Sequence, residues 1–321
     1  MLISILMLLL GISLLIYFGN KMVESAASLA RNLGVSGLII GLTIVAFGTS
    51  APELVVGIRS VTTGVGELAS SNVIGSNIAN VLLALGIPSI IMAIPTNTIG
   101  VARNASIALF ASLLLTFMVF VNNPLLFWQS FIFCMGIILY LIWMYKLSSS
   151  GGEDPILSEL INEAQTNSSS NSKTYLVITL LIGIVGLLLG GHIIVKNAVL
   201  IATALDISET LIGLTIVAIG TSLPEIATVI IASYRGQSQV ALGGIIGSNI
   251  FNLLAVLGIS GLTGPIDVNF SIISFDIWIM LLTALILVLL VLRRKPIGRK
   301  TGILFLLGYV VYLLVIINRG M

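Results

Sequence analysis

Apolar residues in this chain come in long unbroken runs, without the alternation or helical striping of water-facing elements. The runs fall at about 2–18, 38–60, 68–94, 101–121, 124–145, 175–195, 209–233, 239–263, 272–292 and 301–317. Each approaches or exceeds the roughly 20 residues a helix needs to cross a bilayer, so the pattern predicts ten transmembrane helices. The first run has no basic residue ahead of it and Lys21 behind it. A secretory signal has the opposite polarity, so this segment reads as a retained first helix.

Composition agrees. Of 321 residues, 58% are hydrophobic and 8% charged, where a soluble domain carries about 25% charged residues. Soluble, disordered and fibrous classes are excluded, and a multi-pass protein of the cell membrane remains, with the lipid bilayer as its surroundings. A net charge of +2, scattered along the chain, gives no basis for nucleic-acid binding. The single Cys134 lies in an apolar run, so neither a disulfide framework nor a thiol metal site is expected. The 32 glycines suit close helix packing in lipid.

Positive charge sets the orientation. If odd-to-even connections share one side, that side holds eleven Lys and Arg, among them Lys21, Arg103, Arg235 and the stretch Arg293–Lys300, against Arg59, Lys196 and Arg319 opposite. The first side is then cytoplasmic and both termini face outward. The one long polar stretch, 147–174, is rich in Ser, Asn and Gly with four carboxylates. It reads as a flexible cytoplasmic linker, since its spacing matches no calcium loop.

An offset of 172 residues lays the chain on itself without gaps. GLTIVAFGTSAPE (41–53) meets GLTIVAIGTSLPE (213–225) with 11 of 13 positions identical, and VIGSNIAN (73–80) meets IIGSNIFN (245–252) with 6 of 8. Apolar helices share Leu and Ile by chance, but not Gly-Thr-Ser-x-Pro-Glu twice. Residues 1–146 and 175–321 thus form two five-span repeats around the linker, one transport unit. Five is odd, so the second repeat enters the membrane inverted, as in secondary transporters whose sites lie at the midplane between broken helices. The expected fold is an all-α polytopic membrane protein of ten helices in two inverted repeats.

Glu53 and Glu225 fall mid-span, where a carboxylate costs at least about 2.5 kcal/mol, and every basic residue lies near a predicted span end. Two facing carboxylates repel unless a cation sits between them; the alternative is a pair sharing a proton. Pro52 and Pro224 deprive the Gly48 and Gly220 carbonyls of their helical donors, and freed carbonyls in lipid are tolerated where they line a site. Glu53, Glu225, the carbonyls around Thr49 and Thr221 and the hydroxyls of Ser50 and Ser222 are oxygen ligands suited to a hard cation such as Ca2+. The second motif adds Ser76, Asn77 and Asn80, matched by Ser248, Asn249 and Asn252. Interhelical hydrogen bonding is the competing role for these residues, and the stronger one for Asn77 and Asn249.

The paired motifs GTSAPE…GSNIAN and GTSLPE…GSNIFN resemble the alpha-repeats of the cation/Ca2+ exchanger superfamily, especially the prokaryotic Na+/Ca2+ exchangers. The resemblance spans both halves. It implies Glu53 and Glu225 as central Ca2+ ligands shared with Na+ sites, and backbone carbonyls from Thr49 and Thr221. It also implies flanking Na+ sites with hydroxyls from Ser50, Ser222, Ser76 and Ser248. Ala46 and Ala218 match positions whose carbonyls face those sites, and Asn80 and Asn252 match the equatorial polar positions. Some relatives carry Asp at the position of Asn252, so this core holds two formal negative charges, which weakens a K+-coupled reading.

The function this implies is electrogenic Na+/Ca2+ antiport, with Ca2+ and Na+ as transported ions, no cofactor and no obligate protein partner. Ca2+/H+ exchange on the same fold is the nearest rival and a cation channel a weaker one. The single His192 reads as structural. With no zinc-protease or phosphate-loop motif, neither an enzyme nor an ATP-driven pump has support.

Overall fold

A computed structural model describes residues 2–33, 37–149, 172–204, 218–269 and 272–320. In the first half, α1 (Leu2–Leu33) precedes α2 (Gly37–Ile40), a π-helical segment (Gly41–Val45), α3 (Ala46–Thr49) and α4 (Ala51–Thr62). Then come α5 (Gly66–Ala79), a π turn (Asn80–Ala84), α6 (Gly86–Ile91), α7 (Val101–Val121) and α8 (Phe127–Ser149). The second half opens with α9 (Lys173–Ala204), α10 (Ala218–Thr221) and α11 (Leu223–Tyr234). It continues through α12 (Ser238–Phe251), a π turn (Asn252–Val256), α13 (Leu257–Leu262), a π turn (Ile272–Asp276), α14 (Ile277–Leu292) and α15 (Arg299–Gly320).

Among the described residues, eight helices are long and apolar enough to cross a membrane, or nine if the bent pair Gly41–Thr49 and Ala51–Thr62 is one span. The seventh expected run is represented by α10 and α11, while 205–217 lie outside the described residues, as do 150–171 of the linker. The first helix is longer than hydropathy predicts. It continues past residue 18 through the polar stretch Asn20–Ser28 to Leu33 because that part is enclosed by protein: Met22, Val23, Ala26 and Ala30 are buried. Lipid exposure, which makes a hydropathy run conspicuous, ends where protein contact begins.

α12, the π turn after it and the start of α13 are enclosed from Val240 to Gly258 and α5 mostly so, whereas α1 and α15 leave most of their surface outward. The reason lies in small residues. A Cβ added at Gly247 would stand 2.6 Å from the Ala46 Cβ and 2.8 Å from Leu42 backbone, and one at Gly41 would stand 2.9 Å from the Val240 carbonyl. The segment Gly41–Ala46 therefore crosses α12 nearly backbone to backbone, the contact small residues allow in lipid.

Several contacts between the halves come in pairs related by the 172-residue offset. Gly11 sits against Ile194 as Met22 sits against Gly183, and Gly86 against Phe305 as Phe133 against Gly258. Ile94 and Ile297 exchange two backbone hydrogen bonds of 2.9 Å, and Leu125 and Ile266 exchange their counterparts of 2.9 and 3.0 Å. Each contact joins one half to the other, so the core is built jointly.

Candidate cation site

The site forms where two helices break. α3 ends at Ser50 (φ −82°, ψ 6°), and α4 starts at Ala51 after a bend of 50°. α10 ends at Ser222 (φ −88°, ψ 3°), and α11 follows. Pro52 and Pro224 stand in the first turn of the resumed helix, where their missing N–H costs nothing. Glu53 and Glu225 occupy that same first turn. The positive ends of two half-helix dipoles thus lie beside the carboxylates.

Burial is nearly complete, with Glu53 0% and Glu225 2% exposed. The two carboxylates are close enough to repel one another, with Ser76 facing Glu53 and Thr49 and Ser248 facing Glu225. Ser50 Oγ donates to Glu225 Oε1 at 3.4 Å, and Thr49 and Ser248 hydroxyls bond at 3.2 Å. On the mirrored side Ser222 and Ser76 hydroxyls lie 3.5 Å apart. Both Glu53 oxygens and Glu225 Oε2 have no hydrogen-bond partner. Among the described residues, no Lys or Arg bears on either carboxylate.

Asn80 and Asn252 each open a π turn, an insertion that frequently marks functional positions. Asn80 Nδ2 donates to Asn249 Oδ1 at 3.0 Å, leaving Asn80 Oδ1 without a donor. The mirrored bond is absent: Asn77 Nδ2 turns back to the Val73 carbonyl at 2.7 Å, and both amide atoms of Asn252 are unpaired. Buried polar atoms without a partner thus occur on both glutamates and on Asn77, Asn80 and Asn252. Among the described residues there is no cluster of three or more His, Cys, Asp or Glu, so any bound ion would draw on hydroxyl and amide oxygens besides two carboxylates.

The structure thus brings Ser76 to Glu53, Thr49, Ser50 and Ser248 to Glu225, and Ser222 beside Ser76, while Asn80 and Asn252 open the π turns that follow α5 and α12. The Ala46 carbonyl already accepts from the Ser50 N–H at 3.0 Å and Thr49 Oγ1 at 3.3 Å. Ala218 opens α10. Thr221 Oγ1 points to Asn72 Oδ1, 3.4 Å away.

The family profile described as sodium/calcium exchanger protein matches residues 3–146 and again 175–318. The chain belongs to the sodium/calcium exchanger family. Relatives whose names state an activity are exchangers or antiporters, and this exchanger is a multi-pass cation/Ca2+ antiporter of the prokaryotic type, not an enzyme. It is 36% identical to a putative antiporter, CaxA, of Alkalimonas amylolytica, over 97% of this chain and 98% of that protein. It is 31% identical to the sodium/calcium exchanger MaX1 of Methanosarcina acetivorans, over 98% of each. The solved sodium-calcium exchanger NCX_Mj, soaked with 10 mM Na+ and zero Ca2+, superposes with a TM-score of 0.83 at 29% identity, covering 98% of both chains.

Sequence reasoning missed two features of this candidate site. Asn72 carries a signal, since it replaces the glycine expected from Gly244 at the repeat offset. The π turns carry none, because an extra residue per turn leaves no mark on an all-apolar pattern.

Proposed function

We propose that this exchanger moves Na+ against Ca2+ by alternating access and that each cycle transfers net charge. The carrying observation is a wholly buried pair of carboxylates with unpaired oxygens at facing helix breaks. Taking an unpaired ionised carboxylate out of water costs several kcal/mol even after relaxation, so a cation completes this arrangement. Glu53 and Glu225 bind Ca2+ centrally and share its place with Na+, which makes the two ions mutually exclusive. Hydroxyls of Ser50, Ser76, Ser222 and Ser248, carbonyls at Ala46, Thr49, Ala218 and Thr221, and the Asn80 and Asn252 amides complete the Ca2+ and Na+ sites. Two carboxylates balance one Ca2+ or two Na+. A third Na+ leaves +1, and each charge moved couples to the membrane potential at about 2.3 kcal/mol per 100 mV.

The architecture we infer is ten helices in two inverted repeats, 1–146 and 175–321, joined by a cytoplasmic linker, 147–174, with both termini outside the cell. The swapped contacts support the repeat. Loops that the charge count puts on one side also bond to each other. Thr96 Oγ1 donates to the Lys295 carbonyl at 3.0 Å on the side read as cytoplasmic. On the other, Asn269 Nδ2 donates to Glu67 Oε1 and Asn123 Nδ2 to the Val268 carbonyl, each at 2.8 Å. α1 and α9 lie along one another with paired glycine contacts, which suits them to slide together past the core.

Ca2+ uptake into reconstituted vesicles tests the reading. Uptake should require an outward Na+ gradient and respond to an imposed potential. Uptake driven by a pH gradient at zero Na+ identifies Ca2+/H+ exchange instead, and flux indifferent to the counter-ion identifies a channel. Unchanged transport in both Glu53→Gln and Glu225→Gln variants overturns the site assignment.

A further inference from the structure

α14 and α15 are consecutive and joined by the short turn 293–298, yet they barely touch. α14 packs on α7 and α15 on α6 and the Asn80–Ala84 π turn. Between them runs a groove of about 520 Å3, floored by Leu82 and walled by Ile279, Leu290, Leu304 and Val311. From Phe275, in the π turn that leads into α14, to Leu290 on α14 itself the groove is roughly 22 Å long at about 1.5 Å per residue, the scale of an acyl chain. Its outer end is closed. Phe275 stacks on Tyr312 with centroids 6.2 Å apart, Tyr312 Oη donates to Asp276 Oδ1 at 2.8 Å, and the Arg319 guanidinium covers Phe275 at 4.9 Å.

The other end is basic. Arg293 lines the groove there, and Arg294, Lys295, Arg299 and Lys300 are exposed beside it. Arg294 holds φ +53°, a left-handed conformation at a helix terminus where glycine is the ordinary choice. An arginine is therefore kept at this turn at the expense of local backbone strain.

We infer that the groove between α14 and α15 binds one anionic phospholipid, with its acyl chain against Leu82 and its phosphate on Arg293 and the adjoining basic turn. Charge complementarity selects the headgroup, since basic pockets between transmembrane helices bind anionic lipid heads and each basic residue near such a surface is worth about fivefold in binding. The apolar walls and the closed outer end select a chain. Leu82 belongs to the π turn that begins at Asn80, so the lipid braces an element carrying a proposed ion ligand.

The test is native mass spectrometry of the full chain released from vesicles of equal phosphatidylglycerol and phosphatidylcholine. The native protein should retain one phosphatidylglycerol in preference to phosphatidylcholine. Neutralising Arg293→Gln with Arg294→Gln should cut that preference about 25-fold at fivefold per residue. Gly308→Leu should abolish the adduct by filling the groove, because a Cβ at Gly308 meets only Leu82 side-chain atoms, at 3.9 Å. Val311→Trp, at an exposed groove position, should do the same and serves if the glycine variant does not fold. An adduct that survives both filling variants overturns the groove, even if the arginine variant weakens it. A preference unchanged by the arginine substitutions overturns the headgroup site.

Discussion

Glu53→Gln tests most directly whether a cation completes this core. The substitution keeps shape and removes one of two buried charges. A divalent ion at the roughly 2.5 Å of a Ca2+–oxygen contact and an effective dielectric constant near 20 is attracted to one carboxylate by about 13 kcal/mol gross. Desolvation cancels most of that; removing one partner of a buried charge pair costs about 2–5 kcal/mol net, a roughly 30- to 5,000-fold loss of Ca2+ affinity. The ion-free protein should respond in the opposite sense. Both Glu53 oxygens lack hydrogen-bond partners and face the charge of Glu225, so neutralising Glu53 relieves repulsion. Thermal unfolding followed in detergent, with and without Ca2+, reads both effects. The native protein should gain stability as Ca2+ rises. The variant should start at equal or higher stability in chelator and gain little from Ca2+. A variant that keeps the native Ca2+ response refutes the reasoning, whatever its transport rate.

Other outcomes follow from the same geometry. Asn80→Ala strands the Asn249 acceptor and should destabilise by about 1–3 kcal/mol, whereas Asn252→Ala removes amide atoms that have no partner. The latter should leave ion-free stability unchanged while weakening Ca2+ binding about tenfold in titration. Gly183→Val places a Cβ 2.8 Å from the Met22 Cβ and 3.0 Å from its backbone. It should cost about 1–3 kcal/mol and slow Na+-driven Ca2+ uptake, and Gly11→Val should match it from the mirrored position. Tyr234→Cys should react with an impermeant maleimide only from the cytoplasmic side and Thr62→Cys only from outside, since both positions are exposed and the native Cys134 is buried. The reverse labelling pattern would invert the topology.

The sequence alone determines that this is a membrane protein carrying an internal repeat, and it singles out the two mid-span glutamates as the candidates for its chemistry. Those conclusions rest on local facts: a run of apolar residues has one solvent it suits, and a carboxylate inside such a run needs a reason to be there. The recurrence of GTS-x-PE after 172 residues makes the two glutamates partners before any contact is known. Tertiary structure alone decides which hydroxyl bonds which carboxylate, why Asn80 is braced and Asn252 is not, and where the helices leave a gap. α14 and α15 are strongly apolar, and lipid tails are as apolar as a protein core, so composition does not mark which face meets protein. Only packing between residues far apart in the chain, such as Thr49 with Ser248 or Gly86 with Phe305, assigns those faces and closes the site.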